Sequence, residues 1–216
     1  MDCFTNYVFI SDKKIDCERF IKQLKTWMIN NNNKKDISFK NLLSKANLNY
    51  KLYDYTGEIS YISNTVFEYK NKFICTIDTE TMWTPSNNIW NDILDKYFPN
   101  ITYYYFTDNM QDDIYESNDI NHFFFDYDYR VNICIDEEYS YNFPPDYIFN
   151  EIIEEEMPKF YSKKELKEDI LKYFNISITN NNYKMSSLID IVVKDFEKYK
   201  QNIEYDNITI QKVNFV

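Results

Sequence analysis

Glycine occurs once in 216 residues, at Gly57, and that scarcity excludes more than any other feature of the chain. Loops that cradle phosphates, and the dinucleotide fingerprint, need several glycines so that backbone N–H groups can approach the anion. P-loop NTPase, Rossmann oxidoreductase and kinase classes are therefore excluded. Histidine also occurs once (His122), and the four cysteines Cys3, Cys17, Cys75 and Cys134 contain no C-x-x-C pair. A zinc site draws on paired Cys and His ligands, so no metal or other cofactor is expected, and the cysteines read as reduced, small apolar residues. No run approaches the ~20 apolar residues that cross a bilayer. The N-terminal stretch MDCFTNYVFISDKK has no basic n-region and only a short apolar segment, unlike a signal peptide. The expected setting is the cytoplasm, and the sequons at Asn100, Asn175 and Asn207 are expected to carry no glycan.

What is abundant is aromatic: 21 tyrosines and 17 phenylalanines, with 44% hydrophobic residues in all. That is ample for a core and rules out global disorder. The excess of Tyr, Asn, Ile and Lys, with Ala46 the only alanine, is the signature of AT-rich codons and weakens short motifs built from these residues. The length fits one ordinary domain, or one domain plus a small appendage.

Residues 4–10 read as a strand, and 15–29 as a helix with Phe20, Leu24, Trp27 and Met28 on one stripe. A shorter helix is predicted over 38–48. Residues 58–69 and 72–82 form an antiparallel hairpin about Lys70-Asn71. Thr84-Pro85 then places a cap and an N1 proline before a helix carrying Ile89, Trp90, Ile93, Leu94 and Tyr97. Strands follow at 101–106, 122–127, 130–135 and 139–143, where Pro144-Pro145 ends the series. Beyond it, a helix is predicted at 146–156, another behind the capping box Ser162-Lys163-Lys164-Glu165, a third at 186–201, and a closing strand at 207–213. The expected fold is α+β: a ferredoxin-like antiparallel sheet with two helices on one face over 1–143, and a mostly helical C-terminal extension over 144–216.

The stretch Phe73-Ile74-Cys75-Thr76-Ile77-Asp78-Thr79-Glu80-Thr81-Met82-Trp83-Thr84-Pro85, followed by a helix and Tyr97-Phe98-Pro99-Asn100-Ile101, resembles the YubB-type ferredoxin-like family of plasmid- and phage-borne proteins. Asn6 in the first strand fits the same pattern, and the resemblance covers roughly residues 1–10 and 58–137. It implies a ferredoxin-like fold and a mobile-element setting. It implies no enzymatic activity and no catalytic residues.

Asp78-Thr79-Glu80-Thr81 also looks like the first motif of DEDD-type exonucleases, whose strand carboxylates hold two divalent metals ~4 Å apart. Asp78 and Glu80 are two apart and so share a face. Against that reading, the motif follows a hairpin instead of opening the fold, Met82-Trp83 stands where a glycine belongs, and no His remains downstream. The alternative is a solvated strand face with Ile77 buried behind it. His122 is the one imidazole available for acid–base work, yet nothing selects a nucleophile beside it.

Charge is the feature that stands out. Residues 108–156 hold 15 acidic residues and one basic residue, Arg130, a balance of −14, whereas the rest, with 23 bases and 20 acids, is +3. Ordinary solvated surfaces mix signs, because like charges repel. Phosphate contacts need Lys and Arg, so such a region is not expected to bind nucleic acid directly. It suits a basic groove built for nucleic acid, with Asp108, Asp112, Asp113, Glu116, Asp119, Asp126, Asp128, Asp136, Glu137 and Glu138 as the expected partner-binding residues. Together with the resemblance, this predicts a non-enzymatic phage or plasmid inhibitor of the anti-CRISPR or anti-restriction type, docking on a nucleic-acid-binding protein of a host defence system. The alternatives are a metal-dependent nuclease using Asp78 and Glu80, and an acidic globular protein of another role.

Overall fold

The computed structural model describes residues 3–29, 35–49, 56–82, 84–109, 114–134, 159–173, 184–200 and 207–216. They form a mixed α+β structure in two units: Met1–Phe125 with Asn214–Val216, and Asp126–Val213.

The first unit runs β1 (Cys3–Ser11), α1 (Lys14–Trp27), α2 (Phe39–Lys45), β2 (Gly57–Ile62), β3 (Phe67–Tyr69), β4 (Lys72–Thr81), α3 (Asn87–Tyr97), β5 (Thr102–Asn109) and β6 (Ile114–Ser117). Its seven-stranded sheet has the order β10-β6-β5-β1-β4-β2, where β10 is Asn214–Phe215 and β3 also pairs with β4. β1 is antiparallel to both its neighbours, β4 and β5, while β10 joins β6 in parallel.

Alternation along β1 explains the layers. Tyr7 and Phe9 point to one face, where Cys17, Phe20 and Leu24 of α1, Phe39 and Leu42 of α2, and Ile89, Trp90 and Ile93 of α3 are buried against them. Spacings of three and four put each helical set on one stripe, and burying each large side chain contributes about 1.5–3 kcal/mol. Phe9 is ringed by Phe20, Trp90 and Tyr103 at centroid distances of 4.7, 5.1 and 5.6 Å. On the other face, Val8, Ile10 and Ile74 are covered by Tyr104 and Phe123 to Phe125.

The single glycine has a packing cause. A β-carbon on Gly57 would stand 2.6 Å from the Glu80 carbonyl oxygen and 2.8 Å from Thr81 Cγ2, so strand β2 can approach β4 only without one.

Tyrosine hydroxyls line one margin of this core. Tyr7 donates to Asn87 Oδ1 (2.9 Å) and accepts from Ser86 Oγ (3.2 Å), and Tyr103 donates to Asn91 Oδ1 (2.8 Å). Burial pushes the phenol of Tyr7 well above its ordinary range and that of Tyr103 to about 12. A raised folded-state value means the folded chain keeps a proton that the unfolded chain has already released. Stability is therefore expected to fall as pH rises above about 10, the ordinary tyrosine value, towards about 12 for Tyr103. Urea midpoints at pH 8, 10 and 11 check this, with Tyr103→Phe flattening the decline; a flat wild-type profile would refute it.

The second unit has a three-stranded antiparallel sheet, β8-β7-β9, from β7 (Tyr129–Cys134), β8 (Lys159–Tyr161) and β9 (Asn207–Lys212). Two helices accompany it, α4 (Lys163–Tyr173) and α5 (Met185–Lys200). The capping box forms as predicted: Ser162 Oγ accepts from the Glu165 N–H (3.2 Å), and Glu165 Oε2 accepts from the Ser162 N–H (3.0 Å). The Val213 N–H donates to the Asp128 carbonyl (2.8 Å), tying the two ends of the unit together.

Several expectations are corrected. The main sheet has seven strands, and three helices, not two, contribute to its core. Residues 122–127 are not a strand, because His122 takes a left-handed φ of 51° and the next three N–H groups turn inward to Asp119. The strand at 129–134 pairs with β8 and β9, so the division falls between 125 and 126 instead of at 144. Among the described residues of 144–216, β8 is an addition to the two helices, the closing strand predicted at 207–213 is β9, and β10 follows it. Pro85 precedes the cap instead of occupying N1, as α3 starts at Asn87 after Ser86. The predicted strand at 139–143 and helix at 146–156 lie outside the described residues.

Candidate functional site

Strand pairing places carboxylates side by side at one end of the main sheet. Facing away from the helices, one row crosses the strands as Glu58 (β2), Glu80 (β4), Phe4 (β1), Asp108 (β5) and Tyr115 (β6). The next row holds Tyr61, Asp78, Asn6, Phe106 and Ser117. Glu58 and Glu80 are directly opposed, so two like charges stand about 4.5–5.5 Å apart at their β-carbons, a pairing that disfavours the sheet. Among the described residues no lysine or arginine pairs with Glu58, Asp78 or Glu80. Asp78 Oδ1 accepts from Asn6 Nδ2 at 3.0 Å.

Aromatics flank these carboxylates. Phe4 is 43% exposed and Tyr61 48%, uncovered area beside the acids on β-strands that should bury it. Further along the same face the sheet is roofed by Phe123 to Phe125, and Phe106, Tyr115 and Ser117 at the β5–β6 end of the rows are buried, so the exposed part is at the β2, β4 and β1 end, around Tyr61 and Phe4. Ile77 is fully buried behind Asp78, while Asp78 and Glu80 themselves are half-buried. Among the described residues no group of three or more His, Cys, Asp or Glu is placed to hold a metal ion.

The predicted partner-binding residues separate. Asp108 lies in the acidic row. Glu116 is on the opposite face of the sheet, where its Oε1 accepts from the Tyr105 hydroxyl at 3.3 Å. Asp119 is a correction: it is fully buried, and its carboxylate accepts the backbone N–H groups of Phe123, Phe124 and Phe125 at 2.8, 2.6 and 2.9 Å. A carboxylate spent on three donors and closed to solvent cannot meet a partner. Asp126 and Asp128 belong to the second unit; Asp126 is exposed, and Asp128 Oδ2 accepts the Lys163 N–H at 2.8 Å, at the start of α4. Asp112, Asp113, Asp136, Glu137 and Glu138 lie outside the described residues. His122 is half-buried, its Nδ1 3.0 Å from the Phe125 carbonyl and its ring edge-on to Phe215 at 5.3 Å. Cys3, Cys17 and Cys75 are free and buried.

Glu58 stands directly opposite a second carboxylate, and periodicity along the chain does not single it out. Its only signal is strand pairing with Glu80, which the hairpin turn alone misplaces. Comparison with protein-family models, with curated proteins and with solved structures finds no match for this chain.

Proposed function

We propose that the chain is a non-catalytic, acidic protein-binding module that occupies a cationic, nucleic-acid-binding groove of a host defence protein, as an anti-CRISPR or anti-restriction inhibitor would. The observation that carries the reading is the row of carboxylates, Glu58 and Glu80 with Asp78 beside them and Asp108 across β1. Along one strand, same-face residues are about 6.7 Å apart, too sparse to imitate a phosphate array. Across the sheet the adjacent strands β2 and β4 bring Glu58 and Glu80 to about 5 Å, and Asp108, two strands from Glu80, stands about 10 Å away. Phe4 and Tyr61 offer faces on which guanidinium groups stack. We further infer a ferredoxin-like plan for the first unit, supported by the order β1-α1-β2-β4-α3-β5 in the chain and β5-β1-β4-β2 in the sheet, with α2, β3, β6 and β10 as additions. That plan agrees with the resemblance to the YubB-type family and its mobile-element setting.

Glu58→Lys separates binding from folding. It turns an opposed like-charge pair into an ion pair, so the variant is expected to be more stable by about 0.2–1 kcal/mol while binding its partner less tightly. Capture from cells that carry a defence system, repeated with Glu58→Lys/Glu80→Lys, with duplex DNA as competitor and with salt raised from about 50 to 500 mM, reads the second half. Capture that survives charge reversal and high salt would refute the electrostatic mode. Cleavage of a labelled oligonucleotide with magnesium or manganese, abolished by Asp78→Ala, would replace the binding module with the nuclease.

A further inference from the structure

Between α1 and the β2–β3 connection, the first unit carries a cleft of about 620 Å³. It adjoins a second of about 430 Å³ across a shared wall of Lys25, Ile29 and Asn64. Volumes in this range suit a small organic ligand. Ile21 and Val66 give the first lobe apolar walls, and Met28, Ile59 and Ile62 do so in the second. The charged lining is predominantly cationic. Lys14, Lys22 and Lys25 face the first lobe and Lys35 the second, against the single carboxylate of Glu18, which Lys14 neutralises at 3.6 Å.

Among the described residues, Lys22, Lys25 and Lys35 have no carboxylate partner, in a chain whose net charge is −11. Lys25 stands where the lobes meet, and its ammonium donates to Asn64 Oδ1 at 2.9 Å. That bond orients the group and leaves two further N–H donors for an acceptor in the cleft. At the mouth Ile29 is 45% exposed, apolar area that a bound chain would cover.

We propose that this cleft binds an aliphatic carboxylate, a fatty-acid-like anion whose head is held by Lys25 and Lys22 and whose unbranched chain lies against Ile21, Met28, Ile29 and Val66. Charge and apolar walls both select this class. An uncharged chain would leave the ammonium groups unneutralised, and a small inorganic anion would leave the walls wet. The site meets the acidic rows at Tyr61, which also lines the second lobe, but none of the groups proposed to hold the ligand belongs to those rows, and it does not depend on the function proposed for them.

The test is titration of the full chain with octanoate and decanoate, followed by calorimetry and by methyl spectra. Decanoate is expected to bind about tenfold more tightly than octanoate, the effect of burying two further methylenes, and to shift the Ile21, Ile29 and Val66 methyls. Lys25→Glu is expected to lose about tenfold in affinity, the worth of one hydrogen bond to a charged group. Should that variant lose its native circular dichroism, Lys22→Glu reads the same loss. Decyltrimethylammonium, with the same chain and the opposite charge, is expected not to bind there. Equal binding of the cation, indifference to both lysine substitutions, or no saturable binding of decanoate would each overturn the proposal.

Discussion

Asp119→Ala is expected to destabilise the protein by about 3–5 kcal/mol. The carboxylate is fully buried and accepts three consecutive N–H groups, those of Phe123, Phe124 and Phe125. Hydrogen bonds to a charged acceptor are each worth about 1.5–3 kcal/mol, and removing the acceptor leaves three donors to find water. The sum is reduced because these phenylalanines are half-buried, so the freed loop can partly reach solvent. Asp119→Asn is not a rescue. A carboxamide has one acceptor oxygen, and its NH2 would face N–H groups. Both variants are expected to unfold at lower denaturant, within about 1 kcal/mol of each other, and to expose Val8, Ile10 and Ile74 to a hydrophobic dye as the phenylalanine roof lifts. Lys70 would retain part of that roof, since its ammonium donates to the Phe123 carbonyl at 2.8 Å and lies 4.7 Å over the Phe123 ring. A loss below about 1 kcal/mol in Asp119→Ala would show that the N–H groups are satisfied without the carboxylate.

Trp90→Ala is the second large effect, expected at about 3–5 kcal/mol. The side chain is fully buried and sits edge-on to Tyr7 (5.8 Å), Phe9 (5.1 Å), Phe20 (6.4 Å) and Phe39 (6.2 Å), so truncation removes the piece that joins β1, α1, α2 and α3. The indole also carries a liability, because its Nε1 is buried with no hydrogen-bond partner among the described residues. An unsatisfied buried donor costs about 1–3 kcal/mol. Trp90→Phe gives up volume but also removes that donor, so it is expected to lose far less than Trp90→Ala. Denaturation curves of the two variants decide the point: equal losses would mean that volume alone matters and that the indole N–H is not a burden.

How much of this was legible in the sequence depends on whether a feature is local. The capping box at Ser162 to Glu165 was legible because both partners lie within four residues. The stripes of α1 and α3 were legible because spacing along a helix fixes the buried face. The pairing of Glu58 was not. Continuing the Phe67↔Ile74 register along the hairpin would set Glu58 against Trp83, on the other face of the strand. The connection between β2 and β3 and the irregularity between Ile59 and Tyr61 change the register, so Glu58 meets Glu80 instead. Asp119 shows the opposite failure. Its charge was counted as surface, but three N–H groups brought together by a left-handed His122 made burial possible. Charge counting along a chain cannot see a carboxylate that folding consumes, nor that Asp108 and Glu116 fall on opposite faces of a sheet.

Because Asn214–Phe215 pairs with β6 and the Val216 N–H donates to the Ser117 carbonyl, the margin of the larger sheet is sealed by residues that follow the whole second unit in the chain. A fragment stopped at Phe125 would present β6 as a bare strand edge, with carbonyl and N–H groups open to pairing by another molecule and so to aggregation. The protein therefore offers no clean cut between its halves, and a ribosome completes the first only after it has made the second.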